Sequence, residues 1–439
     1  MRRAYKWVLW IVLGPVVALL IVGLSWLAFN GPWADAPVRQ VPAELEPTGL
    51  TLAPQDNAFF DMQGLTAPAG EAVNAWGQRA WRDGPPADSR ALSLPQGPAW
   101  QCQPAREDCV ARWRADAAVL RTQLAEAHVL GDRCRALAAR PRFEEVLVTQ
   151  PGQSERALAA RMPAYLPLSI CLRWLQIEAV LVPELAPAQL AWAQADALLR
   201  LQAGGASSLL GQAIAWSQVS RQQLLLAQWA ATQSRADALL DAWLAPLPAS
   251  LLQPRRWMVA EAAFQRAMTL DMSRQLQDAG SKEPAWLRTL AGLGMLPQRT
   301  VQAADDTWLA DLAAFGDLQG AALAQALAQA PRGDSPTEPF RWSQLKWRNT
   351  AGHILLDVAR PMRAQYAHRQ ADVPVLQAAL RAVRELNALP AGERAARWPT
   401  LVQDAGLRER LQLEGDALQV RPWQPTEGRD TLRLPLRPA

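Results

Sequence analysis

The stretch Val373–Leu389, VPVLQAALRAVRELNAL, decides the fold class. Leu376, Ala379, Leu380, Val383 and Leu386 recur at three- and four-residue intervals, which gathers them on one buried face of a helix. The same spacing links Val110, Trp113, Ala117, Leu120 and Leu124 and predicts a helix of about 25 residues there. Further helical patterns cover 156–181, 186–203, 206–232, 234–245, 254–278, 300–330 and 343–370. Between them stand short breaks carrying Pro or Gly: Pro183 and Pro187, Gly204-Gly205, Pro246 and Pro248, Gly280, Pro297, and the run from Pro331 to Pro339. Short connections make successive helices antiparallel neighbours, so the expected fold is all-α, a multi-helix bundle or irregular helical stack. No repeat of fixed period points to a named solenoid. Only the C-terminus alternates like strand: Ala417–Arg421, a turn at Glu427–Asp430, then Thr431–Leu436, predicting a small β-hairpin that packs on the helices.

Working outward to the N-terminus, Trp7–Phe29 is an uncharged apolar run. At 1.5 Å per residue, roughly two dozen residues cross a hydrocarbon core of about 30 Å. Arg2, Arg3 and Lys6 ahead of it predict a cytoplasmic N-terminus, and Trp7, Trp10, Trp26 and Trp33 sit where aromatic belts meet the bilayer surface. The run is longer than the core of a cleaved signal peptide. Its possible cleavage sites are poor: Trp26-Leu27-Ala28 is bulky, and Ala34-Asp35-Ala36 is followed by Pro37. The expectation is an uncleaved, single-pass signal-anchor in a bacterial inner membrane, with the body in the periplasm. The domains read as 1–29, cytoplasmic tip and anchor; 30–55, an extended Pro- and Ala-rich linker; 56–415, the helical body, with a possible subdivision near 331–340; and 416–439, the tail or hairpin. Asp56 is the expected N-cap of the first helix of the body.

An oxidising compartment gives the four cysteines a use. Cys102 and Cys109 lie seven residues apart, beside Gln103-Pro104, which reads as a helix start. Cys134 and Cys171 are symmetric about Pro151-Gly152, where two antiparallel helices would hinge and bring them level. The predicted disulfides are Cys102–Cys109 and Cys134–Cys171. A zinc site fits less well, because there is no CxxC and only His128 is near.

Charge excludes a class of partner. The chain has 45 basic and 41 acidic residues, but Arg2, Arg3 and Lys6 precede the first acid, Asp35, and the remainder holds 42 against 41. An electroneutral body without a basic stripe does not track phosphates, so nucleic acid is not an expected partner. Three lysines (Lys6, Lys282, Lys346) among so many arginines match a GC-rich coding bias.

Catalytic patterns are sparse. His128 reads as a partly buried structural residue at the edge of a helical stripe. His353 and Asp357, one helical turn apart, are weak catalytic candidates that an ordinary i,i+4 pair explains as well; His368 follows on the same segment. Nucleophile elbows, phosphate loops and zincin motifs are missing from the sequence. Ser343–Lys346 matches SxxK without its KTG companion, and Arg332-Gly333-Asp334 reads as a turn. Glu144-Glu145 and Asp305-Asp306 are adjacent acids that do not flank a substrate if helical, and Asp305-Asp306 suits a helix N-terminus. Of the 20 tryptophans, Trp216, Trp229, Trp243 and Trp257 recur within predicted helices as core residues do. The expected role is a membrane-anchored, non-enzymatic scaffold that binds the lipid bilayer through its first helix and an envelope protein through its body. No cofactor or metal is expected. The competing expectation is an envelope enzyme acting on peptidoglycan or a lipid-linked glycan.

Overall fold

The computed structural model describes residues 2–84, 90–146, 163–233, 244–277, 284, 294–329, 348–402, 404–423 and 429–438. In chain order the helices are α1 (Arg2–Asn30), α2 (Ala58–Gln63), α3 (Val73–Asp83), α4 (Cys109–Ala115), α5 (Ala117–Glu126), α6 (His128–Ala138), α7 (Tyr165–Leu181) and α8 (Leu185–Gly205). They continue as α9 (Leu209–Ala231), α10 (Ala249–Leu252), α11 (Arg255–Gln277), α12 (Pro297–Phe315), α13 (Gly320–Gln329), α14 (Thr350–Asn387), α15 (Ala391–Leu401) and α16 (Ala405–Arg408). The architecture is thus mostly helical, as the periodicity predicts. Within α1, Leu13–Asn30 is long and apolar enough to cross a membrane and stands almost wholly exposed.

Helix α9 is the axis of the body. It packs against α8, α7, α11 and α14, and its residues from Val219 to Ala230 are all buried. Three of the recurring tryptophans lie in this core: Trp216, Trp229 and Trp257 are each at most 2% exposed, whereas Trp243 lies outside the described residues. Edge-to-face pairs tie the layers together, Trp192 to Trp229 at 6.1 Å, Trp216 to Trp257 at 6.5 Å and Trp257 to Trp308 at 6.3 Å.

A buried indole N–H needs an acceptor, and for Trp216 and Trp257 neutral groups supply it. Trp216 Nε1 donates to the Leu251 carbonyl (3.0 Å), and Trp257 Nε1 donates to Gln370 Oε1 (3.0 Å). Gln370 Nε2 in turn donates to the Leu251 carbonyl (2.9 Å). Gln228 on α9 accepts from the Cys109 amide (3.0 Å) and donates to the Pro104 and Glu107 carbonyls (3.0 and 2.9 Å). Together with Arg221, which donates to the Cys102 carbonyl, this glutamine holds the loop closed by Cys102 and Cys109.

Both cysteine pairs lie at disulfide distance, with Cα separations of 5.8 Å for Cys102–Cys109 and 5.2 Å for Cys134–Cys171. The first pins the entry of α4, whose N-cap is Asp108, accepting from the Ala111 amide; Gln103-Pro104 is a turn before it. The second joins α6 to α7; the hinge expected at Pro151-Gly152 lies outside the described residues.

Element boundaries differ from expectation in four places. The helix predicted through Val110–Leu124 is broken at Asp116 and Ala127 into α4, α5 and α6, and each piece lies against α7. The 300–330 pattern divides at Gly316–Gln319 into α12 and α13. Conversely, 343–370 and 373–389 are joined in α14, which runs through Pro361 and Pro374. Proline removes one helical hydrogen bond, but Val373, Val375 and Leu376 beside it are fully buried, and their packing outweighs that loss. Lastly, the C-terminal pair is a three-stranded antiparallel sheet, β1 (Leu411–Glu414), β2 (Ala417–Val420) and β3 (Leu432–Pro435), packed on α9 and α14.

Residues 30–57 lie along the body rather than standing clear of it, and form a strap. Asp35 accepts from the Gln298 and Arg299 amides (3.0 and 2.9 Å), capping α12. Arg39 pairs with Asp306 at 2.8 Å, and Leu45 is fully buried. Asp305 and Asp306 are therefore mid-helix, not N-terminal. Asp305 is buried and paired with Arg266 (2.8 Å), while the α12 terminus takes its negative charge from the strap.

Candidate functional site: a cleft under the strap

Asn57, not Asp56, is the N-cap of α2, its side chain accepting from the Phe59 amide (3.0 Å). That side chain also donates to the Glu144 carbonyl (2.7 Å) and accepts from the Glu144 amide (2.9 Å). One residue on, the Glu145 amide donates to the Gly205 carbonyl (3.2 Å). Zipped between Asn57 and Gly205, this segment is extended and not helical, so Glu144 and Glu145 point to opposite sides. Gly205 has no room for a side chain: a Cβ would lie 1.8 Å from the Phe143 carbonyl oxygen.

Glu145 turns inward to the start of α9. It accepts from the Ser207 and Ser208 amides (2.6 Å each), the Ser208 hydroxyl (2.5 Å) and the Tyr165 hydroxyl. Burial, and then the Glu145 charge, push the Tyr165 hydroxyl well above its ordinary range, which keeps it protonated as a donor. At the other side of the same turn Arg256 donates to the carbonyls of Gly204 and Gly205, the last residues of α8. Burial lowers the Arg256 pKa, and the charges of Glu145 and Glu144 oppose that shift. An anion at one helix start and a cation at the preceding helix end both complement the peptide dipoles.

Glu144 turns outward and latches the strap. It accepts from the Thr51 and Leu52 amides (2.8 and 2.9 Å) and from the Thr51 hydroxyl. Burial disfavours its charge, but the Thr51 hydroxyl, the two amides and Arg142 together outweigh that and hold the carboxyl below its usual range.

Strap, extended segment and the first turns of α11 enclose a cleft of about 1040 Å³. Trp81, Val259 and Leu50 contribute apolar lining, and Glu44 and Glu46 an acidic rim. This volume is at the upper end of what small-molecule sites need, about 300–1,000 Å³. The charged groups of the wall are already engaged: Glu144 and Glu145 as above, Arg256 on carbonyls, and Arg255 on Asp317 through two contacts of 2.6 Å. Glu144, which accepts two backbone N–H groups and is held below its usual range, is not poised as a proton donor.

The histidines lie elsewhere. His128 is exposed at the start of α6, with Nδ1 3.0 Å from the Ala125 carbonyl, and so is not the partly buried residue expected. His353 and His368 share α14, and fifteen residues at 1.5 Å rise separate them by about 22 Å. Burial and then Arg410 lower the His368 pKa, favouring the neutral ring. Asp357 follows His353 by one turn; of it only this place on α14 is described. None of the three histidines lines the cleft. Among the described residues, Cys102, Glu107 and Cys109 form the one group with metal-ligand proximity, but the two sulfurs are bonded to each other. Ser343–Lys346 and Arg332–Asp334 lie outside the described residues, as does the proposed 331–340 boundary.

Glu144 and Glu145 are the wall residues that sequence reasoning set aside. Treating them as helical hid their divergence. The signal was present: Pro141 and β-branched Val146 and Val148 around them favour extended chain.

Comparison with known proteins is short. No protein-family model, no curated protein and no solved structure matches the chain. The functional reading rests on the cleft and the strap alone.

Proposed function

We propose that the chain is a single-pass anchored protein of the bacterial inner membrane, N-terminus cytoplasmic and body periplasmic, that binds an envelope partner without transforming it. The observation that carries the reading is the chemical state of the cleft. Its wall charges are consumed by the fold, fixing α8, α9 and the strap, and the Glu144 carboxyl is held below its usual range, the opposite of what acid catalysis needs. What remains for a ligand is shape, the Trp81 and Leu50 surfaces and the Glu44 and Glu46 rim, which suits recognition. The disulfides fit an oxidising compartment, and the uncharged span with Arg2, Arg3 and Lys6 ahead of it fits the orientation.

Hydrolysis of peptidoglycan or a lipid-linked glycan is the rival, because two glutamates do lie in the wall of a large cleft. A glycosidase pair needs one carboxyl with a raised pKa and the other facing it across the substrate. Here they diverge, and the Glu144 pKa is lowered.

A photo-crosslinking residue at Leu50, on the rim, and another at Leu190, an exposed site on α8, separate these readings in living cells. A discrete envelope protein captured from position 50 and not from 190 is the expected result. Glycan cleavage by the purified chain that Glu144→Gln abolishes would replace binding by catalysis.

A further inference from the structure

The end of the anchor helix is built into the body. Asn30, the last residue of α1, is fully buried, and its Oδ1 accepts from the Asn349 amide (2.7 Å). Asn349 caps α14 with left-handed backbone (φ 56°), a conformation asparagine tolerates better than other side-chain-bearing residues. Its Oδ1 accepts from the Leu296 amide (2.8 Å) and its Nδ2 donates to Thr300 Oγ1 (2.9 Å). Five residues later Asp35 caps α12. Between Asn30 and Asp35 there is no slack: the starts of α12 and α14 are fastened to the exit of α1.

What this junction shows to solvent is amphipathic. Trp33 is 73% exposed and Phe29 51%. The Trp33 ring folds back over Gly31, where a Cβ would lie 2.3 Å from it, and its Nε1 donates to the Ala28 carbonyl (3.1 Å). Its ring therefore lies beside the last turn of the span and not out along the strap. Two guanidiniums converge on the carbonyl of the next residue: Arg299 and Arg348 both donate to the Ala34 carbonyl (2.8 and 3.0 Å). Each bond uses one of the five N–H donors of its guanidinium. An indole level with the end of an apolar helix, with arginines just beyond, matches the sequence of chemistries met on leaving a bilayer: acyl chain, carbonyl region, phosphate.

We propose that this face, Phe29, Trp33, Arg299 and Arg348, is a seat for the surface of an anionic phospholipid bilayer, fixing the body against the membrane in one orientation. The seat rests on the anchor reading above. With α1 spanning the bilayer, the buried Asn30–Asn349 junction leaves no flexible tether, so the body lifts only by tilting with the span or by opening that junction. Arginine phosphate contacts then add to the hydrophobic insertion of the span and select anionic headgroups. The cleft is held at a fixed height and angle, which restricts partners to those that present themselves close to the membrane.

The test uses the full chain reconstituted in phosphatidylglycerol–phosphatidylcholine vesicles, carrying an environment-sensitive fluorophore at Trp33→Cys, at Arg348→Cys, or at Leu190→Cys. Each seat probe leaves the other contact intact, and Leu190 is an exposed apolar control at 61%. Expected are strong quenching by lipids brominated near the headgroup at positions 33 and 348, and none at 190. Replacing Arg348 by Gln should lower the seated-to-lifted ratio roughly fivefold, the worth of one arginine near an anionic surface, and replacing phosphatidylglycerol by phosphatidylcholine, which removes the partner of both arginines, roughly 25-fold. Vesicle-bound protein whose probes at 33 and 348 behave like that at 190 overturns the seat and leaves the anchor standing. Protein that alkaline carbonate strips from the vesicles overturns the anchor and the seat with it.

Discussion

The centre of the body and the strap over its cleft are both held by polar side chains, yet with opposite chemistry. Around α9 the partners are mainly neutral: indoles and the amides of Gln228 and Gln370 satisfy buried backbone groups, with Arg221 on the Cys102 carbonyl the charged one among them. Along the strap they are ionised: Asp35, Arg39–Asp306 and Glu144 hold it from the surface. Burying an amide that finds its hydrogen bonds costs little, whereas burying a charge costs several kcal/mol, so the core uses amides. The buried carboxylates Glu145 and Asp305 are each matched by dedicated donors, and those of the strap stand where water still reaches them. The neutral contacts around α9 should therefore be indifferent to pH, and the strap should not.

The largest effect should come from the neutral side. Trp216→Ala removes a fully buried ring touching α11 through Trp257, and should cost about 3–5 kcal/mol in denaturant unfolding. Next, Cys134→Ser with Cys171→Ser reopens a 37-residue separation; loop entropy puts that near 4 kcal/mol, against roughly 2 for the seven-residue loop of Cys102–Cys109. Unfolding midpoints of the two double variants check the order. Gln228→Leu keeps the volume but strands the Cys109 amide and the Pro104 and Glu107 carbonyls, for about 2–3 kcal/mol, with no dependence on pH. A cost that changed with pH would break the contrast.

Glu144→Gln should be the smallest of the four in global unfolding, under about 1 kcal/mol, because the latch is near the surface. Its mark is local: the Thr51 and Leu52 amides lose protection from hydrogen exchange while those of α9 keep theirs. Equal loss in both regions would mean that the strap and core are one cooperative unit.

The helical class was legible because burial follows period: Leu376, Ala379, Leu380, Val383 and Leu386 are all at most 1% exposed. The cysteine pairing was legible from symmetry about Gly152 and from short separation. Less visible was where helices stop, since packing on α7 bends the Val110–Leu124 stripe and buried valines carry α14 through Pro374. The cleft was not legible, because it depends on the strap, whose Pro-rich composition reads as free chain although Asp35, Leu45 and Thr51 fasten it. Those contacts join residues far apart in sequence, and periodicity carries no signal for them. Nor could the candidates His353 and Asp357 be placed relative to a pocket that the sequence does not reveal.

That ionised surface groups make the strap part of the fold can be read from hydrogen exchange of the full chain as a function of pH. Glu144 has a lowered pKa in the folded state, so its latch is complete above the ordinary carboxylate value of 4.5 and is lost as pH falls through the lowered one. Protection at Thr51 and Leu52, corrected for intrinsic exchange, should hold from neutrality to about pH 4.5 and collapse below it, while α9 stays protected throughout. Strap amides that exchange at unstructured rates at neutral pH would contradict the claim.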